Sequence, residues 1–203
     1  MRIRILTAAV AAILASPAIS QPAEPPVVQN PVQEPVKVAL DTSAGRIVIA
    51  LDTVHAPVTA ANFLKYVDGK KFDGESFYRA MPYENGGLVQ GGITTDAAKL
   101  GPAIAHESTA ATGLKHVRGA VSMASEGPGT ARADFFILTT DIPGLDASAT
   151  DPGFAVFGRV VEGMDVVEKI LRSPVSATKG NPGMQGQMLD PAIKITKAER
   201  VTP

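Results

Sequence analysis

The sequence predicts a mainly β domain, folded as a closed antiparallel barrel whose open ends are capped by two helices. Three observations carry this reading: many short runs of alternating or β-branched residues, glycine or proline between them, and only two segments with helical apolar spacing. Short antiparallel strands in such number lose their exposed edges by closing on themselves. Periodicity alone also fits a two-layer α+β sandwich.

Ahead of the domain, Arg2 and Arg4 precede an apolar run from Ile5 to Ala15, and Ala18-Ile19-Ser20 supplies small residues before Gln21. This is the layout of a signal peptide covering residues 1–20, with cleavage expected after Ser20 and export as the consequence. A retained anchor would need a longer apolar run. Residues 21–35 carry Pro22, Pro25, Pro26, Pro31 and Pro35 with few large apolar side chains, so they read as a solvated, proline-rich linker. The domain is expected over residues 36–203.

Within it, Val36–Thr42 alternates apolar and polar residues, Ser43-Ala-Gly45 turns the chain, and Arg46–Leu51 is rich in β-branched residues, which together predict a hairpin. Pro57 opens a helix whose stripe of Val58, Ala61, Phe63, Leu64 and Val67 ends at Asp68-Gly69. Strands are expected at Ser76–Ala80, Leu88–Gly91, Ala120–Ala124, Phe135–Thr139 and Ala155–Val161. A second helix follows at Met164–Leu171, and a last strand at Ala192–Ala198.

With 19 basic against 20 acidic residues, no global field attracts nucleic acid or an anionic membrane. The absence of cysteine excludes disulfides, a thiolate nucleophile and a cysteine-linked lipid anchor. His55, His106 and His116 show no metal-ligand spacing and are expected on the solvated surface, and Gly127-Pro-Gly129 reads as a turn.

Several stretches, in order, carry a resemblance. They are Ala56-Pro-Val-Thr-Ala-Ala-Asn-Phe63, Phe72-Asp-Gly74, Ser76-Phe-Tyr-Arg-Ala-Met-Pro82, Gln90-Gly-Gly92, Gly119-Ala-Val-Ser-Met-Ala124, Asp134-Phe-Phe-Ile137, Leu145-Asp146 and the run from Phe154 to Val167. Through nearly the whole domain the chain resembles the cyclophilin-type prolyl isomerases. The resemblance implies an eight-stranded barrel capped by two helices, a peptide groove on its outer face, and a monomer that uses neither metal nor other cofactor. Its partners would be proline-containing segments of exported proteins, in the periplasm or, second, outside the cell.

The chemistry explains these needs. Rotation about a peptide C–N bond faces a barrier of roughly 18–20 kcal/mol from resonance, and each ~1.4 kcal/mol by which the twisted amide is favoured gives a tenfold rate gain. Twisting localises a lone pair on the proline nitrogen, which a fixed cation with directed donors stabilises. Arg79 matches the family's catalytic arginine. Phe136, Leu145 and Leu88 match positions that hold the proline ring, Phe136 being the outward member of the Phe135-Phe136 pair. Gln90 aligns with a glutamine that hydrogen-bonds the peptide, and a structural amide pinning a Gly91-Gly92 turn is an equal reading. Backbone groups of Ala124 and Ser125 are further candidates for peptide contact.

The chain departs from the family pattern in four places. The stretch from Ala80 to Val89 is longer than usual, falls at the pocket rim, and leaves Gly87, Leu88 or Tyr83 to stand for a pocket phenylalanine. Asp134 replaces a glutamine and is expected to face substrate, with Arg79 as a partner. Gly144 replaces an aromatic beside Leu145, and Phe154 replaces a pocket histidine. Tyr78 replaces a histidine, with little consequence expected. A module of the same fold that binds prolyl segments without turnover is the alternative function.

Overall fold

In the structure, a computed structural model that describes residues 35–201, nine strands and three α-helices form in the order β1 (Lys37–Thr42), β2 (Gly45–Leu51), α1 (Pro57–Asp68), β3 (Ser76–Tyr83), β4 (Gly86–Gly92), α2 (Thr109–Thr112), β5 (Ala120–Met123), β6 (Phe135–Leu138), β7 (Ala155–Glu162), α3 (Met164–Leu171), β8 (Val175–Ser176) and β9 (Met188–Val201). The neighbour order is β1-β2-β7-β5-β6-β4-β3-β9, and β9 pairs back onto β1, so the sheet closes. All of the strand pairs are antiparallel. The two-residue β8 adds only to β9. The closed barrel, not the open sandwich, is the architecture.

The interior is filled. Leu40, Ile47, Ile49, Phe77, Met123, Phe135, Ile137 and Phe157 are fully buried on the inward faces of their strands. Phe63 reaches from α1 into this core, its ring centroid 5.1–5.3 Å from those of Phe72, Phe135 and Phe157. Val167 and Ile170 of α3 join the same core.

The face that α1 buries differs from the expected stripe. Ala60, Phe63, Leu64, Tyr66 and Val67 face inward, while Val58 and Ala61 are exposed. The helix starts without a local cap. Instead the Glu107 carboxylate, far along the chain, accepts from the Val58 and Thr59 N–H groups at 3.0 and 2.8 Å, a tertiary cap for two of the helix's free N–H groups.

Three strands, β3, β4 and β9, run longer than local pattern shows. The extra residues after Arg79 continue a ladder, with Pro82 opposite Gly87 and Tyr83 opposite Gly86 around a turn at Glu84-Asn85. The insertion therefore lengthens a hairpin. Gly91 and Gly92 belong to β4 and make no turn. β9 begins at Met188, ahead of the expected Ala192, because its first residues pair with β8 and with Arg79.

Outside the barrel a second apolar cluster forms from Leu88, Ala120, Phe136, Leu138, Ile142 and Val156, with Met81, Leu145 and Phe154 packed against it. Strand alternation explains the division: Phe135 goes to the barrel interior and Phe136 to this outer cluster.

Candidate functional site

A groove of about 580 Å³ opens above the outer cluster. Arg79, Gln90 and Asp134 line one part of it, Phe136, Leu145 and Phe154 another, and Ala124 and Ser125 also stand on its wall. Leu88 does not. It is buried opposite Met81 and Leu138 in the strand ladders and supports Phe136 from within the cluster.

Arg79 reaches the groove through an irregularity in β3. Phe77 pairs with Gly91 and Arg79 with Gln90, so that Tyr78 is an extra residue in the ladder. In a regular strand Tyr78 and Arg79 would point to opposite faces. The bulge brings both side chains to Gln90.

The guanidinium is held by neutral groups. Its Nε and Nη2 donate to Gln187 Oε1 at 2.9 and 2.7 Å, Nη1 donates to Gln90 Oε1 at 3.0 Å, and Nη2 lies 3.3 Å from Met81 Sδ. Among the described residues no carboxylate forms an ion pair with it. Partial burial pulls its pKa below the ordinary arginine value, against the opposing influence of Tyr78.

The expected Asp134–Arg79 pair is thus absent. Asp134 Oδ1 instead accepts from the Tyr78 hydroxyl at 3.1 Å, and that hydroxyl accepts from Gln90 Nε2 at 2.7 Å. Burial raises the Asp134 pKa, the Tyr78 hydrogen bond opposes this, and the charge of Glu75 adds to it. Burial and the neighbouring Asp134 also push the Tyr78 phenol well above its ordinary range. Tyr78 is therefore the link between the two polar groups, contrary to the small role expected for it. Gly92 makes room for this arrangement: at φ +156° a Cβ there would collide with the Asp134 carboxylate.

The apolar end is built differently from the family pattern. Phe154 stands edge-on to Phe136, with centroids 5.5 Å apart. Met81, opposite Leu88 in the β3–β4 hairpin, is a further apolar neighbour, packed against the cluster that holds Phe136. Gly87 carries no side chain and could carry none, because a Cβ there would strike the Met81 carbonyl, and Tyr83 lies on the hairpin's exposed end.

His116 is the clearest correction. It is buried, not solvated: Nδ1 lies 2.7 Å from Asp146 Oδ1, Nε2 lies 3.0 Å from Ser122 Oγ, and the ring stacks on Phe136 at 6.0 Å. Since the carboxylate only accepts, the proton belongs on Nδ1, and Nε2 accepts from the serine hydroxyl. Burial lowers the His116 pKa and outweighs the raising effect of Asp146. Asp146 also accepts from the His116 backbone N–H at 3.0 Å, which pins the loop carrying Leu145. The Phe154 N–H then donates to the Leu145 carbonyl at 3.0 Å, so one clasp locates both pocket residues. His55 is exposed, and His106 is half-buried with Nε2 3.1 Å from the Pro152 carbonyl.

Ala124 contributes less backbone than expected, since its N–H already donates to the Asp134 carbonyl at 2.9 Å. Beside it, Gly127–Gly129 makes the expected turn, closed by Thr130 Oγ1 donating to the Gly127 carbonyl at 2.8 Å. Leu100 reaches the groove from a segment tied down by Glu75, whose buried carboxylate accepts from Lys99 Nζ at 2.7 Å and Thr95 Oγ1 at 2.6 Å.

Gln187 and Met184 were not legible as site residues. Both sit on the loop between β8 and β9, where the Gln187 N–H donates to the Met184 carbonyl and the Gln187 carbonyl accepts from Ala80 N–H at 2.8 Å. Their only signal was the glutamine itself, in a glycine-rich stretch without periodicity.

A closed barrel bears an open groove, with an arginine held by amides at one end and an aromatic wall at the other, the build of a site that receives an extended chain and directs N–H donors at it. Comparison with known proteins agrees. The family model described as cyclophilin type peptidyl-prolyl cis-trans isomerase/CLD matches residues 37–200. A peptidyl-prolyl cis-trans isomerase of Acinetobacter baylyi is 39% identical over 140 residues, covering 68% of this chain and 73% of that protein. Peptidyl-prolyl cis-trans isomerase A of Dickeya dadantii is 41% identical over 135 residues, or 66% of this chain and 70% of its own length. A crystal structure of a Cryptosporidium parvum cyclophilin type isomerase has the same fold, with a TM-score of 0.67 at 22% identity over 83% of this chain and 98% of that one. The chain belongs to the cyclophilin-type peptidyl-prolyl cis-trans isomerase family. Its activity is the rotation of X-Pro peptide bonds.

Proposed function

We propose that this isomerase acts after export, on prolyl segments of exported proteins in the periplasm, as a monomer, with Arg79 as its catalytic group. The observation that carries the assignment of Arg79 is its cradle: three hydrogen bonds to the amide oxygens of Gln187 and Gln90, and no opposing carboxylate among the described residues. A cation so held keeps its field and its aim, the two properties needed to stabilise a lone pair forming on the proline nitrogen.

Substrate proline would enter against Phe136, Leu145 and Phe154, whose apolar surfaces orient the ring while Arg79 and Gln90 face the amide. Ala124 and Ser125 would run beside the extended peptide. A related Cryptosporidium parvum structure was determined in the presence of the dipeptide Ala-Pro, which supports a prolyl ligand for this kind of barrel. The alternative of a binder without turnover drew on an Asp134–Arg79 pair, which does not form, and on an insertion, which lengthens the β3–β4 hairpin and puts none of residues 82–87 in the groove lining.

Export rests on the first twenty residues, outside the described part of the chain. The test has two parts. Rates on a short Xaa-Pro peptide should fall to near the uncatalysed value in Arg79→Ala with folding unchanged, and equal rates would refute the assignment. Fractionation of cells making the full chain should recover a periplasmic protein beginning at Gln21, and a cytoplasmic protein of full length would refute export.

A further inference from the structure

The hydrogen bonds running from Asp134 to Arg79 have a fixed direction. Arginine only donates, so Gln90 turns Oε1 toward Nη1 at 3.0 Å and is left with Nε2 for the Tyr78 hydroxyl at 2.7 Å. The Tyr78 oxygen accepts that bond, and its single O–H donates to Asp134 Oδ1 at 3.1 Å. A donor-only group closes one end of this relay and, when ionised, an acceptor-only group closes the other.

Resting on the reading of Arg79 as the catalytic group, we propose that Tyr78 and Asp134 are positioning residues. The Asp134 carboxylate accepts the hydrogen bond of the Tyr78 hydroxyl and so locks the Gln90 amide with its oxygen on Arg79. With the hydroxyl free to point elsewhere, Gln90 can turn its NH₂ group toward the guanidinium, where two donors face each other and the cradle opens on that side. The carboxylate acts across a phenol and an amide, so it orients the cation without pairing with it. A neutral glutamine at position 134, the family's usual residue, can donate as well as accept and imposes no such direction.

Asp134 faces Tyr78 on β3 and the buried Glu75 just before it, whose own charge is paired with Lys99, while Arg79 acts on it through Gln90 and Tyr78. Burial raises its pKa, so it takes up a proton at a higher pH than an exposed carboxylate. Once protonated it no longer compels Tyr78 to donate to it. Activity should therefore fall on the acid side as pH drops through this raised value.

The test is a double-mutant cycle on the full-length protein, with exchange of an Xaa-Pro peptide followed by NMR from about pH 8 to about pH 4. Tyr78→Phe should lower kcat/KM roughly three- to tenfold, mainly in kcat, at an unchanged fold. Asp134→Asn should lose the acid limb of the wild-type profile. The double variant should be no slower than Tyr78→Phe alone, since the relay is broken once. Losses that multiply in the double variant, or an Asp134→Asn profile that keeps the wild-type acid limb, would overturn the proposal. If Tyr78→Phe does not fold, the pH profile of Asp134→Asn decides. An Arg79→Ala protein with wild-type rate would overturn the underlying assignment instead, whatever the relay variants show.

Discussion

A single atom, Gln187 Oε1, accepts from both Nε and Nη2 of Arg79, at 2.9 and 2.7 Å. The two residues are far apart in the chain and meet because the loop before β9 lies against β3, where the Gln187 carbonyl also accepts from Ala80 N–H. A neutral acceptor in that place orients the guanidinium and leaves its charge uncompensated.

Gln187→Glu is therefore the informative substitution. It keeps the shape and the acceptor but adds a charge to the pair, which reduces the field at the proline nitrogen. The expected outcome is a kcat lowered by about tenfold or more together with a raised thermal midpoint, because an arginine–carboxylate pair forms. Gln187→Ala should lower kcat by a smaller factor, roughly three- to tenfold, by loosening the guanidinium. Peptide exchange rates and thermal unfolding of both variants check this.

Arg79→Lys tests whether charge alone suffices. An ammonium cannot donate to Gln187 and Gln90 in the same planar arrangement, so its position is no longer defined. The expected loss in kcat/KM is on the order of a hundredfold, close to that of Arg79→Ala. A lysine variant near wild-type rate would show that the planar cradle is unnecessary.

Phe136→Ala removes a side chain that is both pocket wall and the centre of the outer cluster. Chemical denaturation should show a stability loss of about 3 kcal/mol. Where the variant remains folded, KM should rise more than kcat falls, because the ring holds the proline and takes no part in stabilising the nitrogen lone pair.

His116 makes stability depend on pH. Burial holds its pKa below the unfolded value, so the unfolded chain binds the proton more readily than the native one. Its contribution is fully present above the unfolded pKa of about 6.5 and is lost as pH falls through the lower folded value. The thermal midpoint of the wild type should drop over that interval. In His116→Gln the midpoint should start lower, since Asp146 and Ser122 lose their shared partner, and vary less with pH across the same interval.

Much of the fold was written in local pattern. The β1–β2 hairpin, the limits of α1 and α3, and strands β5, β6 and β7 follow from alternation, β-branching and the proline and glycine that bound them. The two-residue β8 escaped because so short a strand has no period. The inward side of α1 escaped because it is decided by packing of Phe63 and Tyr66 against Phe72, Phe135 and Phe157, which no local window contains.

For the site the division is sharper. Arg79, Gln90, Asp134, Phe136, Leu145 and Phe154 all come to one groove, and each was recognisable from the motif around it. Their partners were not. That Asp134 bonds Tyr78, leaving Arg79 to two glutamines, follows from a bulge at Tyr78, and bulges leave no mark in residue type. That His116 is buried against Phe136 follows from Asp146, thirty residues further on.

By itself, then, the sequence carried the short strands and helices, because alternation and turn chemistry act between near neighbours, while its motifs, through their resemblance to a family, pointed to the closed barrel and to Arg79 in a prolyl groove. The tertiary structure alone decided what surrounds that arginine. Gln187, Gln90 and the Tyr78–Asp134 pair converge from β3, β4, the segment before β6 and the loop before β9. Hydrogen bonds between such distant segments depend on how the closed sheet sets its strands against one another, and no window along the chain contains that.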